Sequence, residues 1–459
     1  MLNKTINSQN LSKELEILRE AINNAENKKK NLIKSPIIKK IIDILETFLK
    51  SKKLVCYGGT AINNILPESD QFYDKSIDIP DYDFFSPNAL DDAKELADIY
   101  YKKGFDEVEA KAGVHIGTYK VFVNFIPIAD ITQMTPDIYD NLKKTTIVKK
   151  GIHYAPPDYL RMSAYLELSR PDGDVSRWEK VYKRLLLLNK NYPIDEKKCT
   201  VKEFIGKFNK KIPQQNSINS IVLNIIINQK LVIFGAYALY NYSNAKESEK
   251  KLLLKTPNFD VLAEEPLKIA NLIKESLTKN NIGNITITKN EAQGEIIPEH
   301  YGIKVGNKTI IYIYKPLACH SYNTIKVNNK KLNIASIDTM LSLYLSFLYM
   351  DNPIYDTRRI LCICQFLIYI QSKNKFNKKG IFKRFTSKCY GEQDTIFSIR
   401  AKKATLYNRL KDNVCDPEYE KYFLRYIPLQ GSKCKNKKTK KEDTKKKKKE
   451  KKKKETKKN

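Results

Sequence analysis

A chain of 459 residues has room for two or three compact units with proper cores, which excludes a peptide or a disulfide-stapled mini-protein. Lys and Arg number 83 against 52 Asp and Glu, a formal charge of +31, while 41% of the residues are hydrophobic, a balance that fits a folded protein with a polyanionic partner. The N-terminal stretch Met1–Glu16 has no apolar leader core and the longest apolar run, around Ile360–Ile370, is too short to cross a bilayer, so a soluble, non-secreted protein with no membrane partner is expected.

In chain order, Leu11 to about Lys50 reads as helical, with Ser35-Pro36 as cap and first turn and an apolar stripe through Ile37, Ile38, Ile41, Ile42, Leu45, Phe48 and Leu49. The run Leu54-Val55-Cys56-Tyr57 reads as a strand, Gly58-Gly59 as a turn, and Thr60–Leu66 as a short helix. Pro80–Phe85 is a second strand, a helix runs from Ser86-Pro87 to Lys103, Val114–Ile131 supplies one or two further strands, and Leu160–Leu188 returns to helical spacing. The eight cysteines are scattered without C-x-x-C pairs or a histidine at metal-ligand spacing, so free thiols in a reducing compartment are expected.

The series recurs. Tyr57-Gly58-Gly59-Thr60-Ala61-Ile62 reappears as Phe234-Gly235-Ala236-Tyr237-Ala238-Leu239, and Pro80-Asp81-Tyr82-Asp83-Phe84 as Pro257-Asn258-Phe259-Asp260-Val261, both about 177 residues downstream. Further echoes in the same order join His115-Ile116-Gly117 to His300-Tyr301-Gly302, Pro127–Asp130 to Pro316–Cys319, and Asp158 with Tyr165 to Asp338 with Tyr344. Two copies of one α/β (mixed α+β) fold are expected, in residues 1–195 and 196–375, followed by a basic, aromatic segment 376–430 and a tail 431–459. That tail holds 17 Lys against four acidic residues, too charged to collapse and suited to condensing on single-stranded nucleic acid; a localisation or solubility role is the alternative.

On a strand alternate side chains share a face, so Asp81 and Asp83 project together, and two adjacent carboxylates repel unless a cation intervenes. Asp78 has the opposite parity and is not expected to be a ligand. Asp130 ends the apolar run Val121–Ala129, where a neighbouring strand would bring it beside the pair. Hard oxygen donors favour Mg²⁺ or Mn²⁺, and three carboxylates can hold two such ions, one activating a hydroxyl and one clamping a triphosphate. Gly58 and Gly59 offer unencumbered amides to phosphates at a helix start, with the Thr60 hydroxyl as a further donor.

These residues together resemble the nucleotidyltransferase superfamily that includes DNA polymerase beta, marked by a Gly-Gly or Gly-Ser turn, then D-x-D, then a later Asp. The spellings Tyr57-Gly58-Gly59-Thr60-Ala61, Asp81-Tyr82-Asp83-Phe84-Phe85-Ser86 and Arg161-Met162-Ser163-Ala164-Tyr165-Leu166-Glu167-Leu168-Ser169-Arg170-Pro171 are similar to the poxvirus-type poly(A) polymerase catalytic subunits, nearest to a giant-virus branch, over roughly residues 50–370. The resemblance implies two tandem nucleotidyltransferase-like domains, the second degenerate. It also implies template-independent addition of AMP from ATP to an mRNA 3′ end with two Mg²⁺ or Mn²⁺ ions, in viral polyadenylation. Asp81, Asp83 and Asp130 would be catalytic metal ligands, and Gly58, Gly59 and Thr60 would touch the triphosphate. The Gly59 to Asp81 gap exceeds the usual spacing, so Glu68–Ile77 reads as an inserted loop. Single-stranded RNA and ATP are the implied partners, with a homodimer or a methyltransferase-like processivity subunit left open, acting in the host cytoplasm (viral factory) or the virion. Other terminal nucleotidyltransferases, of uridylyl or CCA-adding type, and a non-catalytic RNA-binding scaffold stay open as alternatives.

In the second copy Asp81 becomes Asn258, Asp83 survives as Asp260 and Asp130 reads as Cys319, so that copy is expected to be inactive. Past the strands, Arg161 and Lys180 lead a basic helical series as candidates for ATP phosphates or RNA backbone; a solvated face balanced by Glu167, Asp172, Asp174 and Glu179 is the alternative. Tyr165 reads as core.

Overall fold

The computed structural model describes residues 8–33, 35–73, 80–197, 199, 213–243, 259–327, 329–351 and 356–430. Asp78, Pro257-Asn258 and the Lys-rich tail 431–459 lie outside the described residues. The architecture is mixed α/β on two eight-stranded sheets, as expected, and no helix among the described residues is long and apolar enough to cross a membrane.

The chain divides into two compact units. The first holds the described parts of 1–133, 148–154 and 407–430, and the second holds those of 134–147 and 155–406. The expected boundary at 195 is thereby corrected: residues 155–195 group with the second unit, and the basic segment 376–430 is split. The causes are a helix-on-helix contact and a strand added to a sheet edge, both visible below.

The first unit begins with α1 (Ser8–Ile33) and α2 (Pro36–Lys52), followed by β1 (Val55–Tyr57) and α3 (Gly58–Ile65). Then come β2 (Tyr82–Ser86), α4 (Ala89–Lys102), β3 (Val108–Ala112), β4 (Thr118–Val123), β5 (Ile126–Gln133), β6 (Ile147–Lys149) and β7 (Ile152–Tyr154). Ser35 caps α2 by accepting the Ile38 amide at 3.4 Å with Pro36 in the first turn, and Ile38, Ile41, Leu45, Phe48 and Leu49 are the buried stripe. The Tyr100 hydroxyl of α4 donates to the Ile41 carbonyl at 2.7 Å, locking the two helices together. Late in the chain, α14 (Pro417–Phe423) packs near β3, and β16 (Arg425–Tyr426) adds an antiparallel strand at that edge. Strand order is β16-β3-β4-β5-β2-β1-β7-β6. One face is apolar, with Tyr82, Phe84, Val108, Ala110, Tyr119, Val121, Ala129 and Ile131 all buried. The opposite face carries the alternate residues, among them Asp83, Lys111, Lys120, Phe122 and Asp130.

The second unit contains α5 (Pro136–Lys143), α6 (Pro157–Leu168), α7 (Trp178–Asn191), α8 (Gln215–Asn228), β8 (Val232–Phe234), α9 (Gly235–Tyr242), β9 (Phe259–Leu262) and α10 (Pro266–Lys279). It continues through β10 (Ile285–Asn290), β11 (His300–Val305), β12 (Lys308–Tyr314), β13 (His320–Val327), β14 (Lys330–Ala335), α11 (Ile337–Ser346), α12 (Thr357–Lys373), β15 (Cys389–Tyr390) and α13 (Ile396–Leu410). α6 packs along α11, which draws it into this unit.

Strand order here is β10-β11-β12-β9-β8-β14-β13-β15. Its first seven strands match β3-β4-β5-β2-β1-β7-β6 in order, and the paired directions agree: β1 is antiparallel to β2 and parallel to β7, as β8 is to β9 and β14. Two of the sequence echoes coincide with this alignment, Gly58 with Gly235 and Asp83 with Asp260. The others slip. Asp83 faces Asp130 across parallel strands, and Asp260 faces Tyr312, so the counterpart of Asp130 is Tyr312 and not Cys319. His300 likewise occupies the place of Thr118, and Asp338 matches Asp158 as the second helical residue of α11 while Tyr344 is one position off Tyr165. A shared tripeptide is too little to fix register when loop lengths differ between copies.

The free-thiol expectation is also corrected. β15 pairs with β13 and brings Cys389 within 5.1 Å (Cα to Cα) of Cys319, where the two form a disulfide; Cys199 and Cys362 form another. Cys56 and Cys364 are buried free thiols.

His320, at the start of β13, is buried with its Nδ1 unpaired, and burial together with the charge of Arg170 pushes its pKa down to about 4. A histidine held neutral in the fold and near 6.5 when unfolded stabilises above pH 6.5 and loses that contribution as pH falls toward 4. Between pH 7 and 5 the second unit should lose about 2 kcal/mol that His320→Gln does not lose. Urea titrations of both proteins at the two pH values check this, and parallel losses would refute it.

Candidate active site

β1 ends at Tyr57 in extended conformation, and the chain turns into α3 through Gly58 at φ +73°. Only glycine adopts that conformation without strain, and space gives a second reason. A Cβ on Gly58 would fall 2.5 Å from Oδ2 of Asp83. The glycine turn is therefore where an acidic side chain presses against backbone at a helix start. Gly59 is buried beside it. The floor is stiff: the Tyr57 ring stacks on Phe85 at 3.9 Å and its hydroxyl lies 2.8 Å from Thr132 Oγ1.

Asp83 on β2 and Asp130 on β5 are register partners in neighbouring parallel strands, which stand about 4.8 Å apart. Both side chains project from the open face and both residues are half-buried. Asp81 lies just before β2 and is exposed. The Thr60 hydroxyl, expected to reach a phosphate, instead donates to the Asp81 carbonyl at 2.6 Å and is 5% exposed, so Thr60 fixes the backbone that carries Asp81. Of the expected insertion, 68–70 forms one short turn, and the amides of Phe72 and Tyr73 bind Asn63 Oδ1 of α3 at 2.8 and 2.9 Å. A cavity of about 730 Å³ opens beside Asp81, lined by Asn63, Asn64, Tyr73, Lys149 and Tyr154.

Lys120 on β4 faces Asp130 and forms an ion pair with its Oδ2. The three carboxylates do not close on one another. Among the described residues, three acidic, Cys or His ligand atoms within 4.8 Å of each other occur only at Asp172, Cys319 and Cys389, whose sulfurs are already joined. Lys120 places a positive charge against Asp130. The donor set nonetheless fits a hard divalent ion, being all carboxylate oxygen on a stiff sheet.

Arg161, a candidate for phosphates, is corrected outright. Its side chain is fully buried in the second unit, where it ion-pairs with Asp158, donates from Nε to Asn189 Oδ1 at 2.8 Å and binds the Tyr192 carbonyl. It braces α6 against the end of α7. Lys180 is exposed on α7 and stays a candidate by exposure alone. Tyr165 is core, its phenol raised to about 12 by burial and the charge of Asp338.

Comparison with known proteins bears on the first unit most. Residues 43–174 match the family model of the poly(A) polymerase catalytic subunit. This stretch carries the sequence pattern of that family. A protein of African swine fever virus assigned as a poly(A) polymerase catalytic subunit is 31% identical over 267 residues, which is 55% of this chain and 48% of the relative. A counterpart in Acanthamoeba polyphaga mimivirus is 32% identical over 187 residues, 39% of this chain and 32% of its own length. The chain thus spans about half the length, or less, of these curated relatives. The Megavirus polyadenylate synthase structure matches at a TM-score of 0.76 with 21% identity, covering 94% of this chain and 88% of the other, a likeness of fold. The matched segment includes the glycine turn, all three aspartates and Lys120.

Because Arg161 is a brace, Arg161→Met should cost about 3 kcal/mol of stability in the second unit. Chemical denaturation checks this, and unchanged stability would contradict it.

Proposed function

We propose that the chain is a template-independent polynucleotide adenylyltransferase that adds AMP from ATP to RNA 3′ ends. The observation that carries it is the opposition of Asp83 and Asp130 on parallel strands beside the Gly58 turn, inside the segment that matches the poly(A) polymerase family. Asp81, Asp83 and Asp130 would hold Mg²⁺ or Mn²⁺, which supplies charge stabilisation at the transferring phosphorus and a more acidic attacking hydroxyl. Gly58 leaves room for the Asp83 carboxylate, and Gly59 keeps the backbone side of the turn free of bulk for a triphosphate. Thr60 holds Asp81 in place through its carbonyl.

The RNA 3′-oxygen bonds to the α-phosphorus, the bond from that phosphorus to the bridging oxygen breaks, pyrophosphate leaves, and the hydroxyl proton passes to a carboxylate or to water. The second sheet keeps only Asp260 of the set, opposite Tyr312, and serves as an inactive copy. Since the relatives are viral, we place the reaction in the host cytoplasm, with single-stranded RNA as the macromolecular partner.

Primer extension on a short RNA with each NTP in turn, and Mg²⁺ or Mn²⁺, tests the reading. Asp81→Ala, Asp83→Ala and Asp130→Ala should each lose at least about a hundredfold in rate, whereas Asp260→Asn should stay within about threefold. Preferred incorporation of UMP or CMP would replace adenylyl transfer by another terminal transfer, and no incorporation of any nucleotide would reduce the chain to an RNA-binding scaffold.

A further inference from the structure

The open face of the first sheet carries more charge than the aspartates need. Arg425 on β16 is the register partner of Lys111 on β3, Lys111 of Lys120 on β4, Lys120 of Asp130 on β5, and Asp130 of Asp83 on β2. Register partners project to one face about 5 Å apart. Three cations therefore lead in single file, over roughly 15 Å, into the carboxylate pair. Phe122 lies two residues up β4 on the same face, with the Lys111 ammonium 4.1 Å from its ring centroid. Glu109 pairs with Lys111 at 3.5 Å and with Arg425 at 2.9 Å, and these surface pairs are weak enough for a phosphate to displace.

The tip of the β4–β5 hairpin adds a second oddity. Asn124 and Phe125 both have positive φ, 50° and 65°, the geometry of a two-residue turn that favours Asn-Gly. A phenylalanine there is strained, and its ring is 80% exposed, so neither the turn nor the core accounts for it.

The second sheet offers an internal comparison. Its corresponding row reads Thr288, Gly302, Tyr312 and Asp260. In that row the cations and the second carboxylate are absent together, and only Asp260 remains.

We propose that Arg425, Lys111 and Lys120, with Phe122 and Phe125 as stacking surfaces, form the track along which the 3′-terminal nucleotides of single-stranded RNA reach the aspartates. The proposal rests on the adenylyltransferase reading and adds to it the path of the acceptor strand. Cations in file meet successive phosphates, and aromatic rings accept any base, as a repetitive product demands.

The test is fluorescence anisotropy of a short 5′-labelled oligo(A) with the full chain, without ATP, over a range of salt. Lys111→Ala and Arg425→Ala should each weaken binding and reduce the slope of log K against log salt by about 0.7. Phe122→Ala should weaken binding about tenfold with the slope unchanged. Phe125→Gly should weaken binding and raise the melting temperature, because it relieves the turn; a purely structural residue would not separate the two. Lys268→Ala, on the second unit, should change neither affinity nor slope. Affinity within about twofold of wild type in all four track variants would overturn the proposal, as would losses that accompany a change in oligomeric state by sedimentation, which would make the face a self-association surface. A chain that binds RNA along this row yet adds no nucleotide would sink the adenylyltransferase reading and keep the track. An active chain with unaltered binding in the variants would sink the track alone.

Discussion

The Asp83 carboxylate lies where a side chain on residue 58 would have to be. That close approach requires glycine at the end of β1, sets the start of α3, and brings an acid to a helix N-terminus on the open face of a sheet whose other face is sealed by apolar packing. Everything else at the site is arranged around it: Asp130 opposite on β5, Asp81 held through Thr60, and Lys120 neutralising Asp130.

The same approach recurs at Gly235, φ +78°, where a Cβ would clash with Asp260. The second unit thus has the same backbone device, with Tyr312 in place of Asp130 and Gly302 in place of Lys120. Nearby, Cys319 is tied to Cys389 and His320 is buried, so that region is organised for stability. The repeat gives a built-in contrast: the first sheet has Lys111, Lys120 and Asp130 where the second has Thr288, Gly302 and Tyr312.

Much of this was legible in the sequence. The glycine turn, the place of Asp83 on the face opposite the apolar one and the doubling of the sheet follow from local rules, and the structure has them; Asp81 falls just before β2. Register was not legible. Counting back from the Asn124-Phe125 turn pairs Lys120 with Ala129; a β-bulge near Val121 and Phe122 shifts the hairpin by one residue and sets Lys120 opposite Asp130 instead. The role of Lys120 and the cation file were missed for that reason, and Arg425 because it arrives from about 300 residues away. Arg161 was misread because a basic residue in a helical series looks like a solvated or ligand-facing charge until its neighbours are known, and here three of them satisfy it in the core.

The account stands on the aspartates sharing divalent ions. The most direct measurement is a crystal structure of the full chain with Mn²⁺ and a non-hydrolysable ATP analogue, with manganese located by anomalous scattering. The account predicts manganese between Asp83 and Asp130, Asp81 turned inward to the same ions, and Lys120 released from Asp130. Manganese bound elsewhere, with the Lys120–Asp130 pair intact while nucleotide is present, would contradict it.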